Sequence, residues 1–217
     1  MMNTGIHGVS RARVQRGVVI LFALALLAAP ALAAPVRTVL VMGDSLGAGY
    51  GLAAHQGWVD LIAQKLNSSR SAWRVVNASI SGETTAGGAA RIAAALTREH
   101  PEVVVLELGA NDGLRGLPLQ QTRANLEAMV RAAQSANAKV LVIGMRVPPN
   151  YGPDYARGFE ANFSDVAKKY RTAYLPFLLA PIARDRNAFQ EDNLHPIAAV
   201  QPKLRDYVWP ALQPLLR

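Results

Sequence analysis

The stretch Thr38-Val39-Leu40-Val41-Met42-Gly43-Asp44-Ser45-Leu46-Gly47-Ala48-Gly49-Tyr50-Gly51 decides the fold. Its first part is apolar and rich in β-branched residues, which predicts a buried strand that ends at Gly43 in a polar, glycine-rich turn. Open α/β sheets bind their ligands at such carboxyl ends of strands. Ser45 therefore lies where a rigid strand could hold a nucleophile, although a serine after a glycine turn is also a common helix N-cap.

Upstream of this strand, residues 1–33 are predicted to be a cleaved signal peptide. Three arginines precede an unbroken apolar run of 17 residues over 18–34, which contains the small-residue motif Ala31-Leu32-Ala33 near its end. This is the plan of a secretory leader, and we expect cleavage before Ala34 and a periplasmic or secreted protein. An uncleaved membrane anchor is the alternative, but the run is short for a spanning helix and Pro30 interrupts it.

The remaining residues, 34–217, are expected to form one domain. They carry 20 basic and 15 acidic side chains, a net charge of +5 compared with +8 for the whole chain. The basic residues are scattered, which argues against nucleic-acid binding and allows transient contact with a lipid surface. The chain has no cysteine, which excludes disulfides and a thiol nucleophile. We expect a monomer that needs no metal and no cofactor.

Strand patterns alternate with helical ones along this domain. Strands are predicted at 37–42, 73–77, 103–108, 139–147 and 172–175, and helices at 57–66, 84–98, 121–136, 154–170 and 197–216. This alternation predicts an α/β fold, a single three-layer α/β/α domain around a five-stranded parallel sheet. In the flavodoxin-like strand order 2-1-3-4-5, the loops that follow strands one and three lie on either side of one crevice.

Polar residues follow three of these strands and precede the last helix. A hydroxyl nucleophile such as Ser45 needs a base, and the base needs an orienting group. His195 and Asp192, three residues earlier, fit these two roles. The backbone N–H groups of Ser45 and Gly82 and the side-chain amide of Asn111 could stabilise an oxyanion.

Each of these residues also has an ordinary structural interpretation. His195 could be a turn histidine, Asp192 a helix cap, Gly82 a residue with positive φ, and Asn111 part of an Asn-Asp-Gly turn. Their joint occurrence in this order on one edge of the sheet favours catalysis.

Five segments make the resemblance to a known family specific. They are Gly-Asp-Ser-Leu-Gly-Ala-Gly-Tyr-Gly at 43–51, Val-Val-Asn-Ala-Ser-Ile-Ser-Gly-Glu-Thr at 75–84, Leu-Glu-Leu-Gly-Ala-Asn-Asp-Gly-Leu-Arg-Gly at 106–116, Met-Arg-Val-Pro-Pro-Asn-Tyr-Gly at 145–152 and Asp-Asn-Leu-His-Pro at 192–196. The chain resembles the SGNH (GDSL) hydrolase superfamily, and within it the group of periplasmic thioesterases, lysophospholipases and arylesterases.

The resemblance implies a role for each site residue. Ser45 would be the nucleophile, Asp192 and His195 would complete the triad, and Ser45, Gly82 and Asn111 would form the oxyanion hole. Asn193 departs from the glycine that is commoner after the aspartate, but asparagine tolerates the left-handed conformation better than most residues.

The resemblance also implies that the loop 112–118 and the segment 147–151 contact an acyl chain. The candidate substrate-binding residues are Leu46, Asp112, Gly113, Leu114, Leu117, Val147, Pro148 and Tyr151. Glycines at 113 and 116 would let the first loop move. We also expect Glu107 and Arg146, on adjacent strands, to form an ion pair that supports the Asn111 loop.

These observations favour a serine esterase that hydrolyses acyl esters and thioesters through an acyl-enzyme on Ser45. Acyl-CoA-type thioesters, lysophospholipids and aryl esters are the expected small-molecule substrates. One alternative is a carbohydrate O-acetylesterase, which would require a small pocket with polar walls. The other is an inactive lipid- or cell-wall-binding module, which absence of turnover would indicate.

Overall fold

The computed structural model describes residues 1–2, 36–69 and 72–217. Nearly all of the predicted signal peptide, and the cleavage site before Ala34, lie outside the described residues. Val36–Arg217 is a single structural unit.

Five parallel strands form one sheet in the order β2-β1-β3-β4-β5, which confirms the predicted topology. The strands are β1 (Arg37–Gly43), β2 (Trp73–Asn77), β3 (Val103–Glu107), β4 (Lys139–Ile143) and β5 (Ala173–Leu175). The central strands β1 and β3 are buried on both faces, which explains their unbroken apolar sequences. Gly43 pairs with Glu107 in the register of these two strands, so both end at the same level of the sheet.

Helices cover both faces of the sheet. They are α1 (Ser45–Ala48), α2 (Trp58–Ser68), α3 (Thr85–Glu99), α4 (Ala110–Leu114), α5 (Leu119–Ser135), α6 (Pro153–Tyr170) and α7 (Gln201–Leu212). Helices α2 and α7 pack together, and α5 packs against both α3 and α6. These contacts, with the sheet between the two groups, give the expected three layers. Among the described residues, no helix has both the length and the apolar character needed to cross a bilayer.

Two predicted elements differ from the structure by more than two residues. The single helix expected over 197–216 is α7 flanked by 3₁₀ turns at Ala198–Val200 and Gln213–Leu216. Strand β4 ends at Ile143, four residues earlier than predicted. The Gly144 N–H still donates to the Leu175 carbonyl at 2.7 Å, and the Gly144 carbonyl accepts from the Leu178 N–H beyond β5. A Cβ at Gly144 would lie 2.3 Å from the carbonyl oxygen of Pro176, so this close backbone approach requires glycine.

Candidate active site

Ser45 is the first residue of α1, directly beyond the end of β1. The N-cap of this helix is Asp44, whose Oδ1 accepts a hydrogen bond from the Leu46 N–H at 3.0 Å. Because Asp44 caps the helix, the Ser45 hydroxyl is free for another partner. That partner is His195, whose Nε2 lies 2.8 Å from Ser45 Oγ although the two residues are 150 positions apart.

Asp192 orients the imidazole of His195. Its Oδ2 lies 2.6 Å from His195 Nδ1, and its Oδ1 accepts the backbone N–H groups of Leu194 at 2.9 Å and His195 at 3.0 Å. Partial burial raises the pKa of Asp192, but the hydrogen bonds from the side chain and backbone of His195 and from the Leu194 N–H outweigh it and lower the pKa to about 2. Asn193 completes the turn with φ 55°, the left-handed conformation expected for it.

Tyr50 packs against the other side of the histidine. The two ring centroids are 4.6 Å apart with the planes tilted by 42°. Gln190 bridges both residues through two hydrogen bonds. Its side-chain amide donates to the Tyr50 carbonyl at 2.9 Å, and its backbone N–H donates to the His195 carbonyl at 2.8 Å. Sequence reasoning missed this contact, and the only signal for it was the position of Tyr50 within the segment 43–51.

Three hydrogen-bond donors border the space beside Ser45 Oγ. Gly82 has φ 79°, as expected for a turn that needs glycine. Within residues 36–69 and 72–217, the backbone N–H groups of Ser45 and Gly82 have no hydrogen-bond acceptor. The Asn111 amide donates to the Glu83 carbonyl at 3.0 Å and to Asp44 Oδ2 at 3.4 Å.

A cleft of about 490 Å³ opens at these groups. Of the predicted substrate contacts, Leu46, Leu114, Val147 and Pro148 line it. Sequence reasoning missed much of the apolar wall. The apolar lining residues that it missed include Met145, Phe177, Leu179, Ala183 and Phe189. Most of these residues follow β5 in irregular structure, where no periodicity or motif marks them.

The other four predicted substrate contacts do not line the cleft. Asp112 is buried and accepts hydrogen bonds from Thr85 and Thr122, where it ties α4 to α3 and α5. A Cβ at Gly113 would lie 2.5 Å from a Val147 methyl carbon, so the packing at this position has room only for glycine. Leu117 and Tyr151 also lie outside the lining: the Leu117 carbonyl accepts from Tyr155, and the Tyr151 hydroxyl donates to the Leu114 carbonyl.

The predicted ion pair between Glu107 and Arg146 is wrong. Arg146 lies at the cleft with a half-exposed side chain and pairs with Glu160 at 3.1 Å. The reason is the early end of β4, which places Arg146 beyond the ladder that holds Glu107. Glu107 is completely buried and faces Asp44 instead.

These two buried carboxyl groups have raised pKa values. Burial raises the pKa of Asp44 to about 6, although hydrogen bonds from Leu46 and Asn111 and the charge of His195 oppose the shift. Burial also raises the pKa of Glu107 well above its usual range, and the nearby Asp44 charge adds to the effect.

The arrangement suits acyl transfer. A hydroxyl contacts a base, a carboxylate orients that base, and unpaired N–H groups face the same cleft. Among the described residues, no group of three or more His, Cys, Asp or Glu side chains could hold a metal ion.

Comparison with known proteins points to one family. Residues 41–201 match the model of the GDSL-like lipase/acylhydrolase family. The chain is 47% identical over 183 residues to esterase TesA of Pseudomonas aeruginosa, an alignment that spans 84% of this chain and 91% of that protein. It is 40% identical over 184 residues to thioesterase 1/protease 1/lysophospholipase L1 of Escherichia coli, spanning 85% of this chain and 87% of that protein.

A solved structure agrees with these sequence relatives. The psychrotrophic esterase EstA from Pseudoalteromonas sp., in a crystal structure inhibited by monoethylphosphonate, superposes with a TM-score of 0.79. The two chains are 39% identical, and the match covers 83% of this chain and 98% of that one.

Proposed function

The chain belongs to the GDSL-like lipase/acylhydrolase family and is a serine esterase or thioesterase, and we propose that it works through an acyl-enzyme on Ser45. The observation that carries this assignment is the continuous chain of contacts from Asp192 through His195 to the Ser45 hydroxyl. Esters and thioesters of small molecules are the substrates.

In the first half-reaction, His195 Nε2 takes the proton of Ser45 Oγ while the oxygen attacks the acyl carbonyl carbon. Asp192 accepts the Nδ1–H and stabilises the imidazolium that forms. The tetrahedral intermediate then expels the alcohol or thiol, which takes the proton from His195 Nε2. In the second half-reaction, a water gives its proton to His195 and attacks the acyl group, and the fatty acid leaves with the proton returned to Ser45.

The developing oxyanion requires donors aimed at it. The unpaired N–H groups of Ser45 and Gly82 can donate without breaking another bond. Asn111 can exchange its long 3.4 Å hydrogen bond to Asp44 for one to the oxyanion, while its 3.0 Å bond to the Glu83 carbonyl keeps the amide in place.

The mostly apolar cleft supports a medium or long acyl chain as the acyl group, rather than acetate on a sugar. Transient contact with a lipid surface has support at the same place, because Tyr50, Leu114 and Leu194 line the cleft yet are 54%, 36% and 46% exposed. Side chains of this kind around an opening favour amphiphilic substrates.

A series of p-nitrophenyl esters from acetate to palmitate tests the proposed substrate class. We expect kcat/KM to rise at least tenfold (about 1.4 kcal/mol) from acetate to octanoate, because each buried methylene contributes about 0.8 kcal/mol. Val147→Trp, which fills the cleft, should lower kcat/KM for octanoate about tenfold and leave acetate within about threefold.

The matched control for that series is Val36→Trp, because Val36 is exposed and does not line the cleft. This variant should keep the wild-type profile. Hydrolysis confined to acetate would favour the carbohydrate O-acetylesterase, and no turnover of any ester would favour the binding module.

We also propose that the protein is exported and that residues 34–217 are the mature, monomeric enzyme. The sequence pattern of residues 1–33 supports the export. The intact mass of the protein recovered from the periplasm or medium should equal that of residues 34–217. A mass that retains any residue before Ala31 would contradict cleavage of the leader.

A further inference from the structure

The buried carboxyl group of Glu107 lies beneath the turn that carries the nucleophile. It is at the end of β3, opposite Gly43 at the end of β1, and has no exposed surface. Its Oε2 accepts the backbone N–H of Asp44 at 3.4 Å, and a Cβ at Gly47 would lie 2.9 Å from the same oxygen. One carboxyl oxygen therefore contacts the backbone on both sides of Ser45.

The space around this carboxyl allows little movement. A Cβ at Gly43 would lie 2.5 Å from Glu107 Oε2 and 2.7 Å from Ser79 Oγ, so the backbone of the turn is in close contact with both side chains. Among the described residues, Glu107 Oε1 and Ser79 Oγ are buried polar atoms without a hydrogen-bond partner. Such atoms are costly, so the burial of the Glu107 carboxyl is not explained by a contribution to stability.

No basic side chain compensates a charge on Glu107 within the described residues. Arg146 pairs with Glu160, and the titratable group that faces Glu107 is the Asp44 carboxyl. Burial and this neighbour raise the pKa of Glu107 well above its usual range, which favours the uncharged form of this acceptor.

We propose that Glu107 is a positioning residue, which holds the Asp44–Gly47 turn so that Ser45 Oγ points at His195 and the Ser45 N–H points at the oxyanion. Asp44 links Glu107 to two further groups at the site. Its backbone N–H donates to Glu107, and its side chain accepts hydrogen bonds from the Leu46 N–H and the Asn111 amide. The inference rests on the proposed function, since it concerns the nucleophile of that reaction.

Three variants of Glu107 test the proposal. Glu107→Leu removes the acceptor and should lower kcat about 10- to 100-fold with KM within about twofold, because a displacement of about 1 Å at reacting atoms costs up to ~100-fold. Glu107→Gln keeps an uncharged acceptor of the same length and should recover most of that rate. Glu107→Asp shortens the side chain by one methylene and should lower kcat about tenfold or more. This variant keeps the test valid if the leucine variant does not fold.

The second readout is the rate at which an alkyl phosphonate ester labels Ser45, which should fall in parallel with kcat. The matched control is Val104→Ala on the same strand: it creates a cavity in the core away from the turn, and it should lower the Tm without changing kcat per folded molecule.

Three outcomes would overturn the proposal. They are wild-type kcat in the aspartate and leucine variants, a loss in Glu107→Gln as large as in Glu107→Leu, and an equal loss of kcat in Val104→Ala. These outcomes are distinct from failure of the proposed function, in which the wild-type protein itself would hydrolyse no ester and its Ser45 would not react with the phosphonate.

Discussion

Replacement of Ser45 by alanine is expected to lower kcat for every ester and thioester by at least ~10⁴-fold, with little change in KM. The variant keeps the cleft, so substrate still binds, but no oxygen is left to form the acyl-enzyme. The measurement is the steady-state rate on p-nitrophenyl octanoate together with the mass of the protein after reaction with an alkyl phosphonate ester. Wild-type protein should gain one phosphonyl group on the peptide containing Ser45, and the variant none.

Non-additivity makes this prediction specific to a triad. The residues of a triad act as one unit. The kcat of the double variant Ser45→Ala/His195→Ala should therefore be at most about threefold lower than that of either single variant. The matched serine control is Ser164→Ala, whose hydroxyl donates to a backbone carbonyl within α6 and should leave kcat unchanged. Residual activity above about 1% in Ser45→Ala, or phosphonate labelling at another residue, would contradict the assignment of the nucleophile.

The sequence predicts the order of all five strands and, except for β4, their bounds to within one residue. Long apolar runs and helices of eleven residues or more give strong periodic signals, so only boundaries moved. Helices α1 and α4 have only 4 and 5 residues, which is too short for a period to show, and both were expected to be loops. These two short helices carry Ser45 and Asn111, so the part of the fold that sequence patterns describe least is the part that holds the site.

The contacts among the candidate catalytic residues could be predicted because these side chains have a distinctive chemistry and lie beyond a strand or close to a proline. The walls of the cleft could not. Phe177, Leu179 and Phe189 are ordinary apolar residues whose role depends on where an irregular segment folds back. Asp112 illustrates the opposite error. Its place in the loop 112–118 suggested a substrate contact, but its carboxylate accepts hydrogen bonds from Thr85 and Thr122 in a buried network.

Glu107 is a residue whose burial the sequence predicts but whose neighbours it does not. A charged residue in an apolar strand predicts a buried partner, and an arginine on the adjacent strand is the natural candidate. The true neighbours are two backbone N–H groups and another carboxyl group, which no pattern in the sequence encodes. Contacts of this kind depend on the register of β1 against β3 and on the exact path of the turn after Gly43.

The second large effect is expected at Asn111. Asn111→Ala should lower kcat by ~10²–10³-fold, about 2.7–4 kcal/mol, because it removes one donor from the oxyanion while the N–H groups of Ser45 and Gly82 remain. KM should stay within about threefold, since the ground-state carbonyl carries little charge. Asn111→Asp should be at least as slow, because a carboxylate keeps the size of the side chain but presents only acceptors and lies beside Asp44.

Two controls separate an oxyanion contribution from loss of structure. Asn67→Ala removes an exposed amide on α2 and should keep wild-type kcat and Tm. Labelling of Ser45 by the phosphonate should slow in Asn111→Ala by a factor similar to that for kcat, because both reactions place negative charge on the same oxygen. A loss of less than about fivefold in kcat, or a rise in KM that accounts for the whole decrease in kcat/KM, would show that Asn111 binds the ground state or merely secures the turn through Glu83 and Asp44.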